Sequence, residues 1–134
     1  MADKSATRTA RCACGQLRIE LRGEPIRTYA CACRECQRIT GSAFAYRAMF
    51  EASAVVARNG STLSWHRSEG PGRWIEHVRC PDCGTLVYQQ GEALGDRISV
   101  SAGCFGDQAF PAPVMLYFAS RKHHWLNLSV PVTG

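Results

Sequence analysis

A chain of 134 residues has the length of one domain and can bury a core without the staples that a mini-protein needs. With 46% hydrophobic and 20% charged residues and no low-complexity run it is not a disordered chain, and no stretch approaches the roughly 18 apolar residues of a membrane helix. The formal charge of +5 is scattered rather than blocked, which argues against nucleic acid and suits a small anionic ligand.

The opening "MADKSATRTA" has no apolar stretch behind its charges, so no signal peptide is read, and a cytoplasmic protein without a membrane partner is expected. Residues 1–10 read as a flexible tail and 11–134 as a single domain. In "RCACGQL", Cys12 and Cys14 stand two apart, so a strand presents both sulfurs on one face, and Gly15 lets the backbone turn away. "LRIELR" aligns Leu17, Ile19 and Leu21. "YACACRECQRITGSAF" gathers Cys31, Cys33 and Cys36, with "RECQRITG" long enough for a helical turn. "AFAYRAMF" alternates Phe44, Tyr46, Ala48 and Phe50; "TLSWHR" pairs Leu63 with Trp65; "RWIEHV" alternates Trp74, Glu76 and Val78. "RCPDCGTL" is a tight two-thiol turn closed by Gly84, which takes positive φ without strain. "RISVSA" aligns Ile98, Val100 and Ala102, and "PVMLYF" reads as a buried run. Period-2 patterning broken by "RGEP", "NGS", "SEGPG" and "QGEALGD" predicts an all-β protein with two small antiparallel sheets. Trp65, Trp74 and Trp125 are expected in the core, with one aromatic able to wall a pocket.

Eight cysteines in a cytoplasmic chain do not read as disulfides. The spacings C-x-C, C-x-C-x-x-C and C-x-x-C read as metal chelation, with Cys104 left alone. Cys12, Cys14, Cys80 and Cys83 make a four-thiolate set, but spacing equally allows Cys12/Cys14 with Cys31/Cys33, leaving Cys36 with Cys80/Cys83. Seven thiolates against two Zn²⁺ lower the formal charge from +5 to +2, which weakens the nucleic-acid reading further.

The ordered pattern Cys12-x-Cys14-Gly15, Cys31-x-Cys33-x-x-Cys36, Gly41-Ser42-Ala43-Phe44 and Cys80-x-x-Cys83-Gly84-Thr85 resembles the glutathione-dependent formaldehyde-activating family, which includes centromere protein V-like proteins. "RKHHWLNL" resembles the closing segment of that family, so the likeness runs from about residue 10 to 128. It implies an all-β "β-tent" fold and chooses the grouping: a structural zinc on Cys12, Cys14, Cys80 and Cys83, and a second, catalytic zinc on Cys31, Cys33 and Cys36. The chain departs from the family at Ala32, where His or Ser is common, and at "SAGCFGDQAF", where many members carry a Leu-Asp-Asp-like segment. Cys104 is expected as a small buried residue, with a reactive thiol near the pocket or a fourth ligand to the second zinc as the other readings.

A zinc with three thiolates is electron-rich, better suited to holding an incoming thiol as thiolate than to making hydroxide. The implied reaction joins glutathione to formaldehyde as S-hydroxymethylglutathione, or forms a related thiol–aldehyde adduct, by a carbon–sulfur lyase. Glutathione carries two carboxylates, for which Arg34, Arg38 and Arg47 are candidate clamps, and Ser42 is a candidate hydrogen-bond donor. None of His66, His77, His123 and His124 has ligand spacing, and no catalytic histidine is assigned; His123 and His124 are expected at a strand start. The alternative is a non-enzymatic zinc-stabilised β-tent binding module. A zinc ribbon for nucleic acid and a methionine sulfoxide reductase-like enzyme fit the cysteine order less well.

Overall fold

The computed structural model describes residues 6–134. Among these residues, ten strands and one short α-helix make an all-β protein. They are β1 (Thr7–Arg11), β2 (Arg18–Arg22), β3 (Arg27–Cys31), α1 (Arg34–Thr40), β4 (Ala45–Glu51), β5 (Val55–Asn59), β6 (Leu63–Ser68), β7 (Trp74–Arg79), β8 (Leu86–Gln90), β9 (Arg97–Ser101) and β10 (Leu116–Tyr117). One sheet has the order β1-β2-β5 and the other β10-β3-β4-β9-β8-β7-β6. Every pairing is antiparallel except β10 beside β3, so the expectation of purely antiparallel sheets is corrected at that edge. The reason is the long return from β9 to β10, which brings the chain back along β3 in the same direction.

The core lies between the sheets. Leu17, Ile19 and Leu21 point from the small sheet with Ala10 and Cys12, and Ala48, Phe50, Val78, Val87, Ile98 and Val100 meet them from the large one. The alternation in "LRIELR" and "RISVSA" therefore does mark the buried face. The opposite face of the large sheet carries a polar row in register: Met49 opposite Ser99, Ser99 opposite Gln89, Gln89 opposite His77, and His77 opposite Trp65. Gln89, Ser99 and His77 are nearly inaccessible.

Four expectations are corrected. Of the tail expected over residues 1–10, residues 1–5 lie outside the described residues, but Thr7–Ala10 pair with β2 as an outer strand, and Ala10 enters the core. The run "PVMLYF" yields only the two-residue β10; Leu116 is buried, whereas Val114 and Phe118 are exposed. Trp65 is 49% and Trp125 61% exposed rather than core: β6 is the edge of its sheet, and Trp125 sits in a turn after the last 3₁₀ segment with His123 stacked on it. His123 and His124 accordingly lie in that loop region and not at a strand start.

Candidate metal centres and the arginine cleft

All eight cysteines are free thiols. Seven fall into two groups whose sulfurs lie within 4.8 Å of one another: Cys12, Cys14, Cys80 and Cys83 in one, and Cys31, Cys33 and Cys36 in the other. The structure thus selects one of the two groupings that spacing allows.

The four-cysteine group joins the turn after β1 to the turn between β7 and β8. Gly15 (φ 85°) and Gly84 (φ 78°) take left-handed conformations directly after the second cysteine of each pair, which turns each chain away from the sulfurs. Cys12 Sγ is 3.6 Å from Cys14 Sγ, and Cys14 Sγ 3.8 Å from Cys80 Sγ. A zinc tetrahedron with 2.3 Å bonds has edges of about 3.8 Å, so these separations fit a closed zinc site. Donors surround the sulfurs: Leu17 N–H on Cys12 (3.3 Å), and Asp82 N–H, Cys83 N–H and Gln16 Nε2 on Cys80 (3.4, 3.5 and 3.1 Å). The Thr85 hydroxyl beside it, with backbone N–H groups, lowers the Cys83 thiol to about 5. Gln16 also clasps Ser61, donating to its carbonyl and accepting from its N–H, and so ties the cluster to the start of β6. Sequence reasoning missed Gln16, whose partners lie 45 and 64 residues away.

The triplet is built where β3 ends. Cys31 is its last residue, Cys33 caps α1 with Sγ accepting from Cys36 N–H (3.3 Å), and Cys36 is the buried residue of the helix. Ala32 N–H donates to Tyr117 O, and Gln37 Nε2 donates to Ala32 O and Arg121 O, so the C-terminal segment braces this corner. The hydrogen bond from Cys36 holds the Cys31 thiol below its ordinary range, while Cys36 is pushed up by that same neighbour and by burial. Burial and Cys36 raise Cys33. The three thiols thus oppose full ionisation of the group, an opposition that a bound cation would offset. Among the described residues no other histidine, cysteine or carboxylate belongs to this group.

Arg47 Nη1 reaches Cys36 Sγ at 3.8 Å from β4, so this candidate touches the triplet directly. Arg34 and Arg38, on exposed positions of α1, line a cleft of about 620 Å³ with Cys33, Glu35, Arg67, Glu69, Arg73, Phe118 and Arg121. Five arginines against two glutamates leave it a formal +3. Arg38 pairs with Glu35 (2.9 Å), and Glu69 pairs with Arg67 and Arg73. Arg121 lies over the Phe118 ring. Ser42 is exposed in the turn after α1, where its N–H donates to Thr40 Oγ1, and it does not line this cleft. Cys104 stands by the four-cysteine group: the charges of Cys12 and Cys83 add to burial in pushing its thiol up to about 11, and it is not part of the triplet. Arg67, Arg73 and Arg121 were missed because β6, the turn after it and the last 3₁₀ segment lie far in sequence from α1; only their cationic type was visible.

A family model described as glutathione-dependent formaldehyde-activating enzyme matches residues 7–121. A crystal structure of a Rhodobacter sphaeroides protein is similar in fold, with a TM-score of 0.57, 20% identity, and coverage of 93% of this chain and 99% of that one. No curated protein matches the chain.

Proposed function

We propose, from the premise that this chain belongs to the glutathione-dependent formaldehyde-activating family, that it is a zinc-dependent carbon–sulfur lyase for thiol–aldehyde adducts. The observation that carries the reading is the convergence of Cys31, Cys33 and Cys36 on one another, with Cys33 in the wall of a cleft lined by five arginines. The thiol is glutathione or a similarly acidic thiol, and the product with formaldehyde is S-hydroxymethylglutathione.

Cys12, Cys14, Cys80 and Cys83 would hold a structural zinc, and Cys31, Cys33 and Cys36 a second one. When bound at the second site, zinc lowers the pKa of an incoming thiol and keeps it nucleophilic near neutral pH. Arg34 and Arg121 are the cleft arginines without a carboxylate partner among the described residues, and they bind the ligand's carboxylates. Glu35 and Glu69 offer acceptors for its ammonium group. Arg47 offsets negative charge at Cys36. The ligand sulfur attacks the aldehyde carbon, the carbon–sulfur bond forms, the π pair moves to oxygen, and the proton lost by the thiol is balanced by one taken up at that oxygen. Free cysteines grouped for metal rather than paired as disulfides support a reducing compartment, and the cytoplasm is the proposal.

The test compares wild type with Cys33→Ser for formation of the glutathione–formaldehyde adduct, followed by NMR above the uncatalysed rate. Catalysis by wild type and its loss in the variant are expected, together with a glutathione-dependent change in the visible spectrum of cobalt-substituted wild type. Two bound metals without catalysis or spectral response would leave the non-enzymatic binding module as the surviving reading.

A further inference from the structure

A second cavity, of about 200 Å³, opens between α1 and the edge strand β6. Its lining is Glu35, Arg38, Ile39, Trp65 and Arg67, and three of these, Glu35, Arg38 and Arg67, also line the cleft that holds Cys33. The two spaces are therefore neighbours sharing a wall. Glu35, Arg38 and Ile39 fall on one face of the helix through their i, i+3 and i+4 spacing, and Trp65 and Arg67 on one face of the strand.

Trp65 is the feature the fold leaves unexplained. A tryptophan is 49% exposed on an edge strand while its ring is stacked at 5.6 Å and 25° on His77, which is only 2% exposed. The imidazole backs the indole with a rigid support. The result is an aromatic platform held in one orientation, facing helix residues whose guanidinium and aliphatic groups suit contact with a ring. The volume lies below the roughly 300–1,000 Å³ of a pocket for a drug-sized ligand and accommodates one ring or one branched chain.

We infer that this cavity is a subsite for an aromatic or branched apolar group on a carboxylate-bearing ligand, with Trp65 and Ile39 as its specificity-determining walls. Arg38 and Arg67 at the shared wall add positive charge beside the carboxylate sites of Arg34 and Arg121, and the apolar group enters between α1 and β6. Applied to the proposed lyase, on which this extension rests, the aldehyde half of the adduct carries an apolar substituent larger than the hydrogen atoms of formaldehyde.

The experiment titrates the zinc-loaded full chain with phenylacetate and, separately, with acetate, following the indole Nε1–H resonance of Trp65, identified by its loss in Trp65→Phe. A saturable shift with phenylacetate alone, weakened at least about threefold by Ile39→Ala and absent from the Trp125 resonance, is expected. Equal responses to the two acids, or no response of Trp65, would overturn the subsite. S-benzylglutathione is further expected to bind about tenfold more tightly than S-methylglutathione, and Trp65→Ala to remove most of that difference while leaving the S-methyl compound unaffected. The cobalt spectrum separates the two ideas. A phenylacetate response without a glutathione response keeps the subsite and removes the thiol reading, and the converse removes the subsite alone.

Discussion

His77 shows how a single side chain records its surroundings. Neither ring nitrogen has a partner among the described residues, and the nearly inaccessible ring lies under Trp65 on β7. Burial first, then the charges of Arg47, Arg67 and Arg79, lower its pKa from 6.5 to about 4. Between those values the unfolded chain is protonated and the folded one is not, so unfolding takes up a proton and stability rises with pH. The contribution is fully present above about pH 6.5 and lost as the pH falls towards 4, and it amounts to at most on the order of 3 kcal/mol. Denaturant unfolding of wild type and His77→Gln over pH 4–7 isolates it, because metal release on acidification acts on both proteins. The stability of wild type relative to the variant is expected to decline as the pH falls; parallel curves would show that the ring does not titrate in this way. The same residue illustrates a limit of the sequence, since "IEHV" marks His77 as one of the inward or outward set but not as the support of an exposed indole.

At the level of elements, what could be read beforehand follows from how each strand is covered. β2 has one face in the core and alternates visibly, and β9 alternates in sequence because its second face, also buried, carries serine. β3 and β8 are buried almost throughout, so "RTYAC" and "LVYQQ" carry no alternation to find. β1 is polar because it is an outer strand with only Ala10 inward, and it passes for a tail. The cysteine pairs were legible because metal chelation imposes local spacing; Gln16 and the cleft arginines were not, because they converge only through the fold. The pairs also predict which element depends on metal. β1, β2 and β5 form a separate sheet, and the four-cysteine group fastens its β1–β2 turn to the β7–β8 turn across 66 residues of chain from Cys14 to Cys80. The triplet, by contrast, lies within six residues of local structure around α1. Cys80→Ser is therefore expected to lower the melting temperature far more than Cys36→Ser, and to expose the β1 and β2 amides to hydrogen exchange while β4 and β9 exchange last. Equal destabilisation by the two variants would mean that the triplet is structural as well.

Across the whole molecule, the modest charge of +5 conceals a concentrated field. Five arginines from α1, β6, the β6–β7 turn and the last 3₁₀ segment meet in one concave space, where two glutamates compensate only part of their charge. A concave site with low-dielectric walls focuses such a field, so a small anionic ligand would be drawn into the cleft before any short-range contact forms. Among the described residues Arg34 and Arg121 have no carboxylate to release before meeting a ligand, whereas Arg67 and Arg73 share Glu69. The first two therefore give up least on binding. Arg34→Gln and Arg121→Gln are each expected to weaken glutathione binding by roughly 3–10-fold, the range of a partly solvated charge-assisted hydrogen bond. Arg22→Gln, at the exposed end of β2, removes the same net charge outside the cleft and is expected to change affinity little. Raising the ionic strength from about 0.05 to 0.5 M shortens the Debye length from about 14 to about 4 Å and should weaken binding to wild type more than to Arg121→Gln. Calorimetric titrations of the four zinc-loaded proteins at both salt concentrations decide the matter. If Arg22→Gln matches the cleft variants, total charge rather than the placement of these arginines governs the attraction, and the directed clamp is wrong.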